Sequence, residues 1–191
     1  MKFLDNSLIK VIKKIFILCI ALIVFCIQTK QNVMADEAKE YAVKAAFTYN
    51  FIRFVQWPEI SSAHDADPFL LCFLGNEVVE KSFNTLNNKK IGIRAIKVHR
   101  LFPEKKCEQC DIIFISRDID RSISKEIISK VKGTPVLTIS ETKEFTTYGG
   151  MINFVIKDGR LRFIINTSAS KNQNLKISSR LLKLAIVVDE L

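Results

Sequence analysis

Three short, uninterrupted apolar runs constrain this chain most. They are FLLCFLG at 69–75, DIIFIS at 111–116 and TPVLTIS at 134–140. A strand with one wet face alternates apolar and polar residues. A strand covered on both faces, as in a parallel sheet, reads as a continuous apolar run. Between the runs the spacing turns helical. NEVVEKSFNTLN places Val78, Val79, Phe83 and Leu86 on one side of a helix. DRSISKEIISKVKG offers Asp120 or Ser122 as N-cap, Lys130 and Lys132 in the last turn, and Gly133 at the stop. Buried strands interleaved with helices imply a parallel core of βαβ units.

The flanking segments complete the expected architecture. In MINFVIKDGRLRFIIN two apolar runs flank Asp158-Gly159, a pair suited to a two-residue type I′ hairpin turn. IGIRAIKVHRL alternates and suits a strand with one covered face. EYAVKAAFTYNFIRFVQWP predicts an amphipathic helix, with Val43, Phe47, Phe51, Phe54 and Val55 at helical spacing. Pro58 disfavours helical geometry at Trp57, so this helix should end about there. EISSAHDADP reads as a polar loop. KISSRLLKLAIVV predicts a closing helix with Ile177, Leu181, Leu184, Ala185 and Val188 on one face. The expected fold is α/β: a mostly parallel central sheet with an antiparallel edge hairpin and helices on both faces. The first and last helices should help cover the two faces.

The N-terminus points to export. Lys2, Lys10, Lys13 and Lys14 stand against one acid, Asp5, and precede an uncharged apolar run from Ile15 to Ile27. A helix of that run rises roughly 20 Å, short of the roughly 30 Å hydrocarbon core. Val33 and Ala35 then form a small-residue pattern. This order is that of a secretory signal peptide over 1–35, cleaved after Ala35. An uncleaved anchor is the alternative, and Phe25 makes Cys26 a poor lipoprotein site. The remaining 36–191 fits one domain. The full chain carries a net charge of +9. Removing five lysines and one aspartate lowers this to about +5, with no basic block longer than two residues. Nucleic-acid binding has little support.

Export leaves Cys72, Cys107 and Cys110 in an oxidising compartment. Cys107 and Cys110 form a C-x-x-C pair in KKCEQC. A thioredoxin-like pair follows a strand and opens a helix, whose N-terminus activates the thiol. Here the pair precedes a strand, and Glu108 opposes thiolate formation. A zinc site would draw on Cys72, Cys107, Cys110 and His64 or His99, but no second metal-binding motif accompanies them. A structural disulfide fits better. Cys72 lies in the first buried strand and Cys110 enters another, so neighbouring strands would bring them within bridging range. A Cys72–Cys110 loop is worth roughly 4 kcal/mol on loop entropy, against roughly 2 kcal/mol for a Cys107–Cys110 ring.

Recognised catalytic and phosphate-binding motifs are absent. No cofactor is expected. Gly149-Gly150 could admit a ligand to the backbone, but such a pair more often forms a turn or bulge. The segment FTYNFIRFVQWP holds Phe47, Tyr49, Phe51, Phe54 and Trp57, more aromatics than one helical stripe can bury. Either the helix packs on two sides, or some of these side chains meet a partner.

Two segments resemble the YfiR (HmsC-like) family of periplasmic proteins. One is YAVKAAFTYNFIRFVQWP, through Tyr41, Lys44, Ala45, Ala46, Asn50, Phe51, Phe54, Trp57 and Pro58. The other is GGMINFVIKDGRLRFIINTSASKNQNLKISSRLLKLA, through Gly149, Gly150, Met151, Ile152, Phe163, Ile165, Asn166 and the Leu175–Ala185 stretch. The family commonly carries cysteines at the positions of Cys72 and Cys110. Ile164, where a Glu is common, and SASKNQN depart from the pattern. The resemblance implies a non-enzymatic periplasmic repressor. It would bind the periplasmic sensing domain of an inner-membrane diguanylate cyclase and lower cyclic di-GMP signalling and biofilm formation. An OmpA-like outer-membrane lipoprotein could sequester it, disulfide redox state could modulate it, and it would form a homodimer. Tyr49, Phe54 and Trp57 are the candidate partner contacts. The alternative is an exported small-molecule-binding or thiol-redox protein.

Overall fold

The computed structural model describes residues 6–58, 67–102 and 107–189, with side chains described at 13–20 and from 34 onward. Residues 59–66 of the expected loop 59–68, with His64, and the side chains of 21–33, with Cys26, lie outside these residues. The chain divides into two compact units, Met1–Glu40 and Tyr41–Leu191. In the first, Ile15, Phe16, Ile17 and Leu18 are exposed, and Lys39 lies 3.7 Å from Asp36. Among the described residues no helix is long and apolar enough to cross a membrane.

The second unit is α/β, built on an eight-stranded sheet. Helix α1 (Asn6–Phe54) contributes its residues from Tyr41 onward. There follow β1 (Val55–Gln56), β2 (Phe69–Leu74), α2 (Glu77–Asn84), β3 (Lys90–Ile91) and β4 (Arg94–Arg100). Next come β5 (Ile112–Ile115), α3 (Arg121–Lys130), β6 (Leu137–Ser140), β7 (Ile152–Lys157) and β8 (Arg160–Asn166). The chain closes with α4 (Thr167–Asn172), β9 (Lys176–Ile177), α5 (Ser179–Leu182) and β10 (Ile186–Val188). The sheet order is β10-β8-β7-β6-β5-β2-β4-β3, with only β7–β8 and β3–β4 antiparallel.

The three continuous apolar runs are the three central strands, and their residues alternate between two cores. Leu71, Phe73, Ile112, Phe114, Leu137 and Ile139 face α1 and α2. Cys72, Leu74, Ile113 and Ile115 face α3. Side-chain caps open α2 and α3, the second at the expected Asp120. The Asn76 side chain accepts from the Val78 and Val79 amides, and Asp120 accepts from the Ser122 amide. Asp158 and Gly159 both take positive φ (52° and 67°), as a type I′ turn requires.

Four expectations are corrected. The closing helix is one short turn between two strands. Ser178 caps α5, but the β-branched run Ile186-Val187-Val188 joins the sheet beside β8. Ile177 pairs instead with Val55, and Leu184 is 69% exposed. The hairpin β7–β8 is therefore flanked by β10 and does not form the edge. The strand expected across IGIRAIKVHRL is broken by Gly92 (φ 61°) into β3 and β4. Finally, α1 stops at Phe54, where the chain becomes extended as β1, and Val43 is 46% exposed. The buried stripe is instead Tyr41, Lys44, Ala45, Thr48, Phe51 and Ile52.

Candidate functional site

The carboxyl ends of parallel strands are where open α/β sheets usually receive ligands. Here, the ends of β5 and β6 are filled by the protein's own charges. Ser116 follows β5 and Glu141 follows β6, and α1 lowers Tyr41 and Lys44 onto them. The Tyr41 hydroxyl donates to Glu141 Oε1 at 2.7 Å and lies 2.7 Å from Ser116 Oγ. Lys44 Nζ donates to Glu141 Oε2, with both side chains at least 95% buried. The Arg117 backbone amide donates to Glu141 Oε1 at 3.3 Å, and its guanidinium stands 3.8 Å from Oε2. Lys44 also sits 4.6 Å from the Tyr41 ring centre. Burial pushes the Tyr41 phenol far above its ordinary value, and the neighbouring carboxylate adds to the shift. Tyr41 and Lys44 fall at helical spacing within YAVKAA, but nothing in the sequence singled out Ser116 or Glu141, which lie 75 and 97 residues from their partners.

The aromatic residues at the end of α1 have divided roles. Phe51 is buried, 4.9 Å from Phe163 and 5.6 Å from Phe154. Tyr49, Phe54 and Trp57 are half-buried against the same core. Tyr49 donates its hydroxyl to the Lys90 carbonyl at 2.9 Å and lies between Arg53 and Lys89. Trp57 packs 5.1 Å from Phe69, a reach made possible by the change from helix to strand at Val55. The antiparallel pair β1–β9 and a bond from the Ser178 amide to the Phe54 carbonyl tie this end of the helix to the C-terminal segment. Trp57 also lines an open cleft of about 720 Å³ with Gln56, Lys171, Leu175 and Lys176. Its indole nitrogen is buried, with no hydrogen-bond partner among the described residues.

Cys72 and Cys110 are joined by a disulfide, with Cα atoms 6.0 Å apart. It ties β2 to the segment that enters β5, on the face covered by α3. Cys107 stays a buried free thiol in a single 3-10 turn over Cys107–Gln109. Burial pushes its pKa up and the Glu108 carboxylate adds to this, the opposite of an activated thiol. His99 is exposed on β4.

Residues 41–186 match the family described as YfiR/HmsC-like (DUF4154). The chain belongs to the YfiR/HmsC-like family. Among curated proteins, no significant match is found. The matched span covers the second compact unit almost entirely and takes in the Tyr41–Lys44 ion-pair cluster, the disulfide and Trp57. Members of the YfiR/HmsC-like family are periplasmic and regulatory, and they act with a protein partner in diguanylate cyclase signalling. The disulfide agrees with an oxidising compartment.

Proposed function

We propose that this YfiR/HmsC-like protein is exported by a signal peptide cleaved after Ala35 and represses an inner-membrane diguanylate cyclase. In this reading it grips the cyclase's periplasmic sensing domain, lowers cyclic di-GMP and restrains biofilm formation. The observation that carries the proposal is the internal plug at the carboxyl ends of β5 and β6. Lys44, Glu141, Tyr41 and Ser116 satisfy one another where an α/β enzyme would open its active-site crevice. Some apolar side chains remain outward. Leu184, Ile186 and Val187 are exposed along the β10 edge, and Trp57 opens onto the cleft beside β9.

A repressor need only bind the inactive cyclase more tightly than the active one. A shift from 1:99 to 99:1 takes about 5.5 kcal/mol of differential affinity. A few aromatic anchors in a desolvated interface supply energies of that order. Tyr49, Phe54 and Trp57 are the proposed contacts. A homodimer is the proposed assembly, and an OmpA-like lipoprotein the proposed sequestering partner. Deleting the gene should raise cellular cyclic di-GMP, and restoring Trp57→Ala should not lower it again. An unchanged level on deletion, with no cyclase recovered by pull-down, would overturn the reading.

A further inference from the structure

The cationic side chains of α3 fall into two groups. Arg121 reaches Glu144 at 2.5 Å, and Lys130 reaches Glu126 at 2.7 Å. Lys125, in the same helix, and Lys132, just beyond it, have no carboxylate partner among the described residues. With Ser129 they stand at i, i+4 and i+7, one face of a helix. That face forms one wall of a cleft of about 370 Å³, facing the turn around Tyr148 and helix α4.

The cleft is built of more than surface lysines. Gln173, at the end of α4, is 3% exposed, and its side-chain oxygen is buried with no hydrogen-bond partner among the described residues. Leaving such an acceptor unpaired costs about 1–3 kcal/mol. Gln173 lines the cleft, and a turn of its side chain would bring this oxygen to a donor bound there. Gly149 lies between the walls with φ at 96°, and a Cβ there would stand 3.3 Å from the Ile128 methyl. A side chain at this position would be strained and crowded, which accounts for the first glycine of the Gly149-Gly150 pair. Tyr148 is fixed by a 3.1 Å hydrogen bond with Ser124, and Lys125 Nζ lies 5.7 Å from its ring centre. Burial pushes the Tyr148 phenol up, so it stays neutral and presents a flat, mainly apolar surface.

We propose that this cleft binds a small organic anion. Its carboxylate or phosphate group is held by Lys125 and Lys132, its planar body lies against Tyr148, and a hydrogen-bond donor on it meets Gln173. The volume falls within the range of small-ligand sites, and the mixed apolar and cationic lining suits an anion with an apolar body. The site is separate from the Trp57 cleft and does not depend on the repressor reading.

The test is a two-dimensional NMR titration of the purified full chain with p-aminobenzoate and, separately, p-aminophenyl phosphate. Both supply a flat ring with a donor opposite the anion, and the two arms distinguish carboxylate from phosphate recognition. We expect saturable shifts centred on Gly149, Ala169 and Gln173 with at least one probe. The Lys125→Ala/Lys132→Ala double variant should weaken binding by roughly tenfold or more. Lys130→Ala, whose lysine is already paired, should bind like the parent chain. These lysines are exposed, so the variants should fold, and amide-spectrum dispersion checks that they do. Saturation by neither probe, shifts scattered over unrelated surface lysines, or equal weakening by Lys130→Ala would each overturn the proposal.

Discussion

The two faces of the sheet are held by different means. The α1/α2 face is thick and aromatic: Phe51 packs on Phe154 and Phe163, and Phe83 lies 4.4 Å from Phe114. It also buries a complete ion pair. The α3 face is mainly aliphatic, with Leu74, Ile113, Ile115, Ile127 and Val131, and Phe145 is its one buried aromatic ring among the described residues. The disulfide lies on this second face, and so does the small lysine-lined cleft. Where long side chains from two helices interdigitate, burial alone stabilises the layer. Where one ten-residue helix covers the strands, a covalent tie supplements burial and a cleft stays open.

The most damaging change should strike the aromatic face. Glu141→Ala removes the buried carboxylate that pairs with Lys44, at a cost of about 3–5 kcal/mol. Urea unfolding should show it, and adding Lys44→Met should recover much of the loss. A near-neutral Glu141→Ala would mean that the rings alone hold this face. On the other face, Cys72→Ala should cost about 2–4 kcal/mol through loss of the long disulfide loop. Peptide mapping without reductant should recover Cys72 linked to Cys110, and a Cys107-linked peptide would break that half of the comparison. The α2 cap is a smaller lever. Asn76→Ala should cost about 1 kcal/mol, read as a lower urea midpoint with unchanged slope.

The smallest effect concerns pH. The Cys107 pKa is raised in the folded state, so the folded protein holds that proton to higher pH than the unfolded chain does. Its contribution to stability is complete below the ordinary thiol value and is lost as pH rises through the folded value. Stability should therefore decline slightly on the alkaline side in the parent chain but not in Cys107→Ser. Iodoacetamide should label native Cys107 slowly at neutral pH, and the chain should show no insulin-reductase turnover. Rapid turnover abolished by Cys107→Ser would instead make the α3 face a redox centre.

Much of the fold was legible because it is written in local periodicity. The three apolar runs, the cap at Asp120 and the Asp158-Gly159 turn each act within a few residues of chain. The family was legible through the two end motifs. The C-terminal segment was misread for a physical reason. Ile177, Leu181, Leu184 and Ala185 satisfy helical spacing, while Ile186-Val187-Val188 favours a strand, and the free place beside β8 settles the competition. The same holds for α1, whose buried stripe contains Lys44 and Thr48 where periodicity favoured Val43.

By itself the sequence determined the layered α/β class, the central strands and the pairing of cysteines worth testing. Only the tertiary structure decided that Lys44 is buried, that Glu141 neutralises it, and that Gln173, Lys125 and Lys132 share one cleft. A buried charge is tolerable only when its partner arrives from elsewhere in the chain, and Glu141 arrives from 97 residues away. Local pattern carries no information about such a meeting, because the sheet order that brings β5, β6 and α1 together is set by the packing of the whole domain.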